Sequence, residues 1–175
     1  MSNITVPARG PAHGGRGGFT LVEVAVATAI IGLGVAALLA TIAAGTRSNA
    51  AGQKLTQATF LAQEIREWTL RLPFSDPDPG DAGNPPGPDG SDPHVFVDDL
   101  DDLMDVTFSP PRDGRGSAIS GMDNWSQTIT MTWRDPSSLS TIVSPGASNA
   151  IYVQVVVSYH SQPVLTTGWL VTRRF

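Results

Sequence analysis

Cysteine is missing from all 175 residues. That excludes disulfides, thiolate metal sites and a cysteine nucleophile, while leaving an exported location open. Basic charge is scarce: 11 Lys and Arg stand against 16 Asp and Glu, for a formal net charge of −5. No basic stripe with interleaved aromatics occurs, so nucleic acid is not an expected partner. Catalytic patterns are lacking too. The three histidines, His13, His94 and His160, lie far apart in sequence and outside any HExxH spacing, and the many serines form no G-x-S-x-G elbow. They read as surface histidines and ordinary serines, and enzyme activity has no support.

Proline is absent between Phe19 and Leu72. Nothing there forbids one uninterrupted helix, which at 1.5 Å per residue would run roughly 80 Å; two helices broken near residues 45–52 are the alternative. Acidic residues are absent from residues 1–18, a Gly- and Pro-rich stretch with Arg9 and Arg16 that reads as a processed leader. Without it the chain would hold nine basic residues against the same 16 acidic, a balance of −7.

What is present begins with one apolar run. Residues 24–46 carry no charge and are rich in Ala, Val, Leu and Ile, enough for a lipid-spanning helix of about 20 residues. Gly32, Gly34 and Gly45 weaken a helix less in lipid than in water. One carboxylate, Glu23, interrupts the start of the run. An ionised carboxylate in hydrocarbon costs several kcal/mol and is usually paired or functional.

The order Gly18, Phe19, Thr20, Leu21, Val22, Glu23, after a short basic leader, closely resembles the processing site of the type IV pilin superfamily, which includes the type II secretion pseudopilins. The resemblance implies that a prepilin peptidase cuts between Gly18 and Phe19 and methylates the new amine on Phe19. It also makes Glu23 the fifth mature residue, an assembly and register group. By this reading the amine lies one helical turn from Glu23 and can pair with that of a neighbouring subunit, while mispairing leaves a buried charge alone. Expected partners are the prepilin peptidase, other pilin or pseudopilin subunits, the inner-membrane assembly platform and the bilayer. The expected location is the bacterial inner membrane, single-pass with the globular part in the periplasm or outside, and then the pilus or pseudopilus. Two features depart from many major pilins: Ala40 stands where a proline is common, and no disulfide can close the C-terminal region. They favour a minor pilin or a minor type II secretion pseudopilin of the I-like branch, a non-catalytic structural subunit. The alternatives are an ordinary secretory signal cut near Ala44 or a signal-anchored periplasmic binding module that does not polymerise.

The resulting division is a leader at 1–18, a transmembrane or filament-core helix at 19–45, an amphipathic half-helix at 46–72, a Pro/Gly/Asp-rich loop at 73–94 and a β-rich part at 95–175. In the amphipathic half, Leu55, Ala58, Ala62, Ile65 and Leu72 share a face with Leu61 and Trp68 beside it, and Lys54, Gln57, Glu64, Glu67 and Arg71 fall elsewhere. Residues 95–106 suggest a short strand and a helical turn. Residues 126–134 alternate Ile129, Met131 and Trp133 with threonines, and residues 150–160 and 164–174 read as strands joined through Ser161, Gln162 and Pro163. The expected fold is α+β and pilin-like: a long N-terminal helix packed on a small antiparallel sheet, with Trp68, Trp125, Trp133 and Trp169 between them.

Ten aspartates lie between Asp76 and Asp105 without a Lys or Arg. A solvated, self-repelling loop is the expectation. No cofactor is required, but calcium is a possible ligand, with Asp76, Asp78, Asp81, Asp89 and Asp92 as candidate donors that lack EF-hand spacing.

Overall fold

The computed structural model describes residues 17–77, 85–89 and 97–173. Among these residues one helix, α1 (Leu21–Arg71), is followed by a 3₁₀ turn (Asp101–Leu103) and five strands: β1 (Thr107–Phe108), β2 (Trp125–Asp135), β3 (Ser138–Ile142), β4 (Ala150–Tyr159) and β5 (Gln162–Thr172). The fold is α+β and pilin-like. Two compact units divide the chain at Arg47 and Ser48.

α1 runs unbroken through Ala40 and through residues 45–52, so the two-helix alternative does not hold. Gly32, Gly34, Gly45 and Gly52 meet no neighbour that would resist a Cβ. The hydroxyls of Thr28, Thr41 and Thr46 donate to the carbonyls of Val24, Ala37 and Ile42 four residues back, at 2.8 to 3.0 Å. Each satisfies its donor inside the helix, which a lipid environment demands.

The second unit owes its sheet to alternation. In β2, Trp125, Gln127, Ile129, Met131 and Trp133 turn inward, and the antiparallel register sets Gln127 opposite Val157, Ile129 opposite Val155, Met131 opposite Val153 and Trp133 opposite Ile151. β5 pairs with β4 across a turn at His160 and Ser161, both with positive φ (48° and 61°), which fits the right-handed twist of a two-residue hairpin. The turn is thus shorter than expected, and Gln162 and Pro163 belong to β5. The sheet order is β1-β2-β4-β5, with β3 also on β2.

Ala58, Leu61, Ala62, Ile65 and Trp68 of α1 close the core, with the Phe108 ring tilted against that of Trp68, their centroids 5.6 Å apart. Leu55 was expected on that face but is 48% exposed. The buried positions centre on Leu61 and Ile65, and Leu55 sits at the margin of that stripe. Trp125 and Trp133 are buried, and the half-buried Trp169 donates from Nε1 to Thr69 Oγ1 at 3.1 Å.

Gln127 joins three elements. Its Nε2 donates to the carbonyls of Leu61 (2.8 Å) and Arg112 (3.1 Å), and its Oε1 accepts from the Arg112 N–H at 2.7 Å. A fully buried amide is tolerable only when paired in this way. The loop after β1 then grips the helix: the Gly114 N–H donates to Glu64 Oε2 at 2.7 Å, and Arg71 Nη1 donates to the Gly114 carbonyl at 2.9 Å. Gly116 has φ +80° with the Trp68 ring 2.7 Å from where a Cβ would stand. Only glycine meets both demands.

The helical turn expected within residues 95–106 is present as the 3₁₀ turn. Residues 97–106 hold the 3₁₀ turn but no strand, because their aspartates accept backbone N–H groups locally; residues 95 and 96 lie outside the described residues. β1 and β3 were not anticipated.

Candidate functional site

At the head of α1, residues 17–20 are not helical and Leu21 is the first helical residue. Thr20 Oγ1 accepts the Glu23 N–H at 3.2 Å, and the Thr20 carbonyl accepts the Val24 N–H at 3.2 Å. Thr20 is therefore the N-cap, and Glu23 is the third residue of the helix. Thr-x-x-Glu is a capping-box pattern, a signal legible in the sequence but overlooked there. The carboxylate of Glu23 thus belongs to the first turn, where the free N–H groups give a partial positive charge.

Among the described residues this stretch is exposed. Phe19 is 82% exposed, and Leu21, Val22 and Val24 are exposed behind it. Gly17 and Gly18 have nothing within 4 Å of an added Cβ. The fold itself therefore sets no size limit at Gly18. Among the described residues, α1 is the one helix long and apolar enough to cross a membrane, with an 18-residue window of mean hydropathy 2.3.

The second candidate group is acidic. Carboxylate oxygens of Asp76, Asp89 and Asp98 lie within 4.8 Å of one another. They bring together Asp76 and Asp89 of the expected donors and add Asp98; Asp78, Asp81 and Asp92 lie outside the described residues. Three hard oxygen donors are of the type calcium takes, against about six to eight in a complete shell. Asp98 is pushed above the usual carboxylate range by desolvation and then by the charges of Asp102, Asp76 and Asp89.

The neighbouring aspartates correct the picture of a solvated loop. Asp99 and Asp102 are buried. Asp102 accepts N–H groups from Asp89 (3.0 Å) and Asp98 (2.9 Å), and Asp101 accepts that of Gly87 at 2.9 Å. Asp99 accepts those of Asp101 and Asp102. Burial, followed by the Asp101 charge, pushes Asp99 up to about 7. Here the aspartates organise backbone as much as they repel.

His160 sits in the β4–β5 turn with its ring edge against Tyr159. His13 and His94 lie outside the described residues.

Residues 14–39 match the family model of the prokaryotic N-terminal methylation motif. This is the type IV pilin and prepilin signature, and the chain carries it on the capped, exposed head of α1. The match spans Gly18, Phe19 and Glu23. No curated protein and no solved structure matches the chain.

Proposed function

We propose that the chain is a minor pilin or pseudopilin, a non-catalytic subunit cut between Gly18 and Phe19 by a prepilin peptidase and methylated on Phe19. The observation that carries this reading is the methylation motif at residues 14–39, ending in an exposed apolar helix. In this reading residues 19–45 serve first as a membrane anchor and then as filament core. Residues 46–72 form the half-helix that carries the globular part, the segment 73–94 connects it, and residues 95–175 supply the sheet on the periplasmic or outer side.

Glu23 has two physical functions in this scheme. The first helical turn favours its charge within one subunit. Across subunits it is the partner for the amine that cutting creates, so that one axial register pairs both charges and other registers strand one of them in a medium of low dielectric. The assembly platform delivers the subunit from the bilayer to the filament. Ala40, in place of a helix-kinking proline, and the lack of cysteine favour the minor branches over a filament-building major pilin.

Intact-mass analysis of the membrane-extracted protein tests the reading. The expected mass is that of a chain starting at methylated Phe19. A mass starting at Met1 would identify a signal-anchored module that does not polymerise, and one starting near Gly45 an ordinary secretory protein; either result overturns the proposal.

A further inference from the structure

The strand β5 is an edge: among the described residues β4 is its one strand partner. Eleven residues long, from Gln162 to Thr172, it contains no charged side chain. Exposed edges normally carry lysines, short strands or bulges that discourage a further strand. Here Pro163 and the irregularity at Val157 and Ser158 guard one end, and the stretch from Leu165 to Thr172 is unguarded.

Two cavities adjoin this edge where it meets α1. The first, of about 330 Å³, is lined by Ala62, Gln63 and Arg66 of the helix and by Leu165 and Trp169 of the strand. The second, of about 520 Å³, includes Leu72, Phe74, Val171 and Arg173. An added strand would project alternate side chains into such sockets while its backbone continues the sheet. Neither cavity is lined by an Asp or Glu, although the chain has 16 acidic residues. Arginines line both: Arg66 the first, Arg71 and Arg173 the second. A third cavity, lined by Asp76, Asp89, Asp99 and Asp101, shares Phe74, Ser75 and Arg173 with the second. The two edge-side cavities thus carry arginine without a carboxylate, and Arg173 is common to the second of them and to the acidic cavity.

We propose that the β5 edge receives an extended, acidic segment of a partner protein as an additional strand, with apolar side chains in the two sockets and carboxylates on Arg66 and Arg173. The site is separate from the helix head and does not depend on the pilin reading. A basic segment would meet the arginines unfavourably, and a helix would leave the backbone groups of the edge unpaired.

The test uses the full chain in detergent and two fluorescein-labelled nonapeptides, one alternating valine with glutamate and one alternating valine with lysine. The acidic peptide is expected to bind saturably, at least about tenfold tighter than the basic one. Arg66→Glu with Arg173→Glu should reverse that preference while far-UV circular dichroism stays unchanged. Amide hydrogen exchange supplies the positional readout: on binding, the outward N–H groups of β5 should slow. Equal affinity for the two peptides, no saturation in the millimolar range, or protection elsewhere than β5 overturns the proposal. So does slow exchange of those amides in the peptide-free monomer, which would mean the chain covers its own edge. Protection that grows with protein concentration in the absence of peptide would assign the edge to a second copy instead.

Discussion

The two halves of α1 follow the same backbone rules but treat apolar surface in opposite ways. Between Leu21 and Arg47, Leu33, Leu38, Leu39 and Ile42 are all exposed and no residue is buried. From Ser48 onward the helix buries Ala58, Leu61, Ala62, Ile65 and Trp68 against the sheet and leaves Glu67 and Arg71 outside. Helix formation is therefore not what distinguishes them. The second half buries its apolar face within its own unit, whereas the first has none of its described residues buried, and lipid followed by neighbouring helices would cover it in the proposed function.

The sharpest way to break this comparison is at the boundary that liberates the first half. Gly18→Val is expected to abolish cutting outright, seen as a single uncut species by intact mass. The side chain has room in the fold, with nothing within 4 Å of the added Cβ. Any loss therefore belongs to the peptidase, which must approach the backbone closely. Normal processing would remove the size requirement at Gly18.

Glu23→Ala should leave processing and membrane insertion intact and strongly reduce the share of subunit found in sheared filaments relative to total membrane subunit. Insertion becomes easier without the carboxylate, while the incoming amine loses its partner. Unchanged incorporation would mean that Glu23 does not set register.

The halves should also differ in what they contribute to stability. Ile65→Ala removes a fully buried side chain and is expected to cost the globular unit about 2–5 kcal/mol. Leu33→Ala, at a site 73% exposed, should leave its melting unchanged. Thermal unfolding of the detergent-solubilised chain, followed by near-UV circular dichroism, measures both. Equal effects would mean that the halves are not energetically distinct.

Much of this architecture was legible because it rests on period. The charge-free run and the proline-free span anticipated α1, and alternation at Ile129, Met131 and Trp133 anticipated the inward face of β2. What escaped depended on partners distant in sequence. Nothing local to Gln127 reveals that it will bond Leu61 and Arg112, nor does Gly116 announce the Trp68 ring against it. β3 escaped because its five residues are all exposed and follow no apolar alternation. At the head of the helix, the Gly-Phe-Thr-Leu-Val-Glu order was visible but the cap was missed, because Thr20 was read for the motif and not for its hydroxyl. The aspartates were misjudged for the opposite reason. Charge density suggested solvent, whereas Asp99 and Asp102 are buried by the backbone N–H groups they accept.

That burial yields the smallest expected effect, and one confined to the second unit. With Asp99 at about 7 in the folded chain against an ordinary 3.8, the folded state holds a proton that the unfolded chain releases. The contribution of Asp99 to stability is accordingly greatest in acid and declines as pH rises from about 4 to about 7, then levels off. Asp98, raised by desolvation, acts in the same direction. Asp113 and Asp135 oppose it: each is lowered by hydrogen bonds, from Ser117 and Arg115 and from Ser137, so their contributions are lost only as pH falls below about 4. A comparison of melting temperature at about pH 5 and pH 8, in chelator, therefore isolates the upper pair. Asp99→Asn retains an oxygen for the N–H groups of Asp101 and Asp102 but cannot ionise. It should flatten the decline between the two pH values and raise the melting temperature at pH 8. An unaltered decline would mean that Asp99 is already ionised in the folded chain, and that its burial is compensated by the backbone alone.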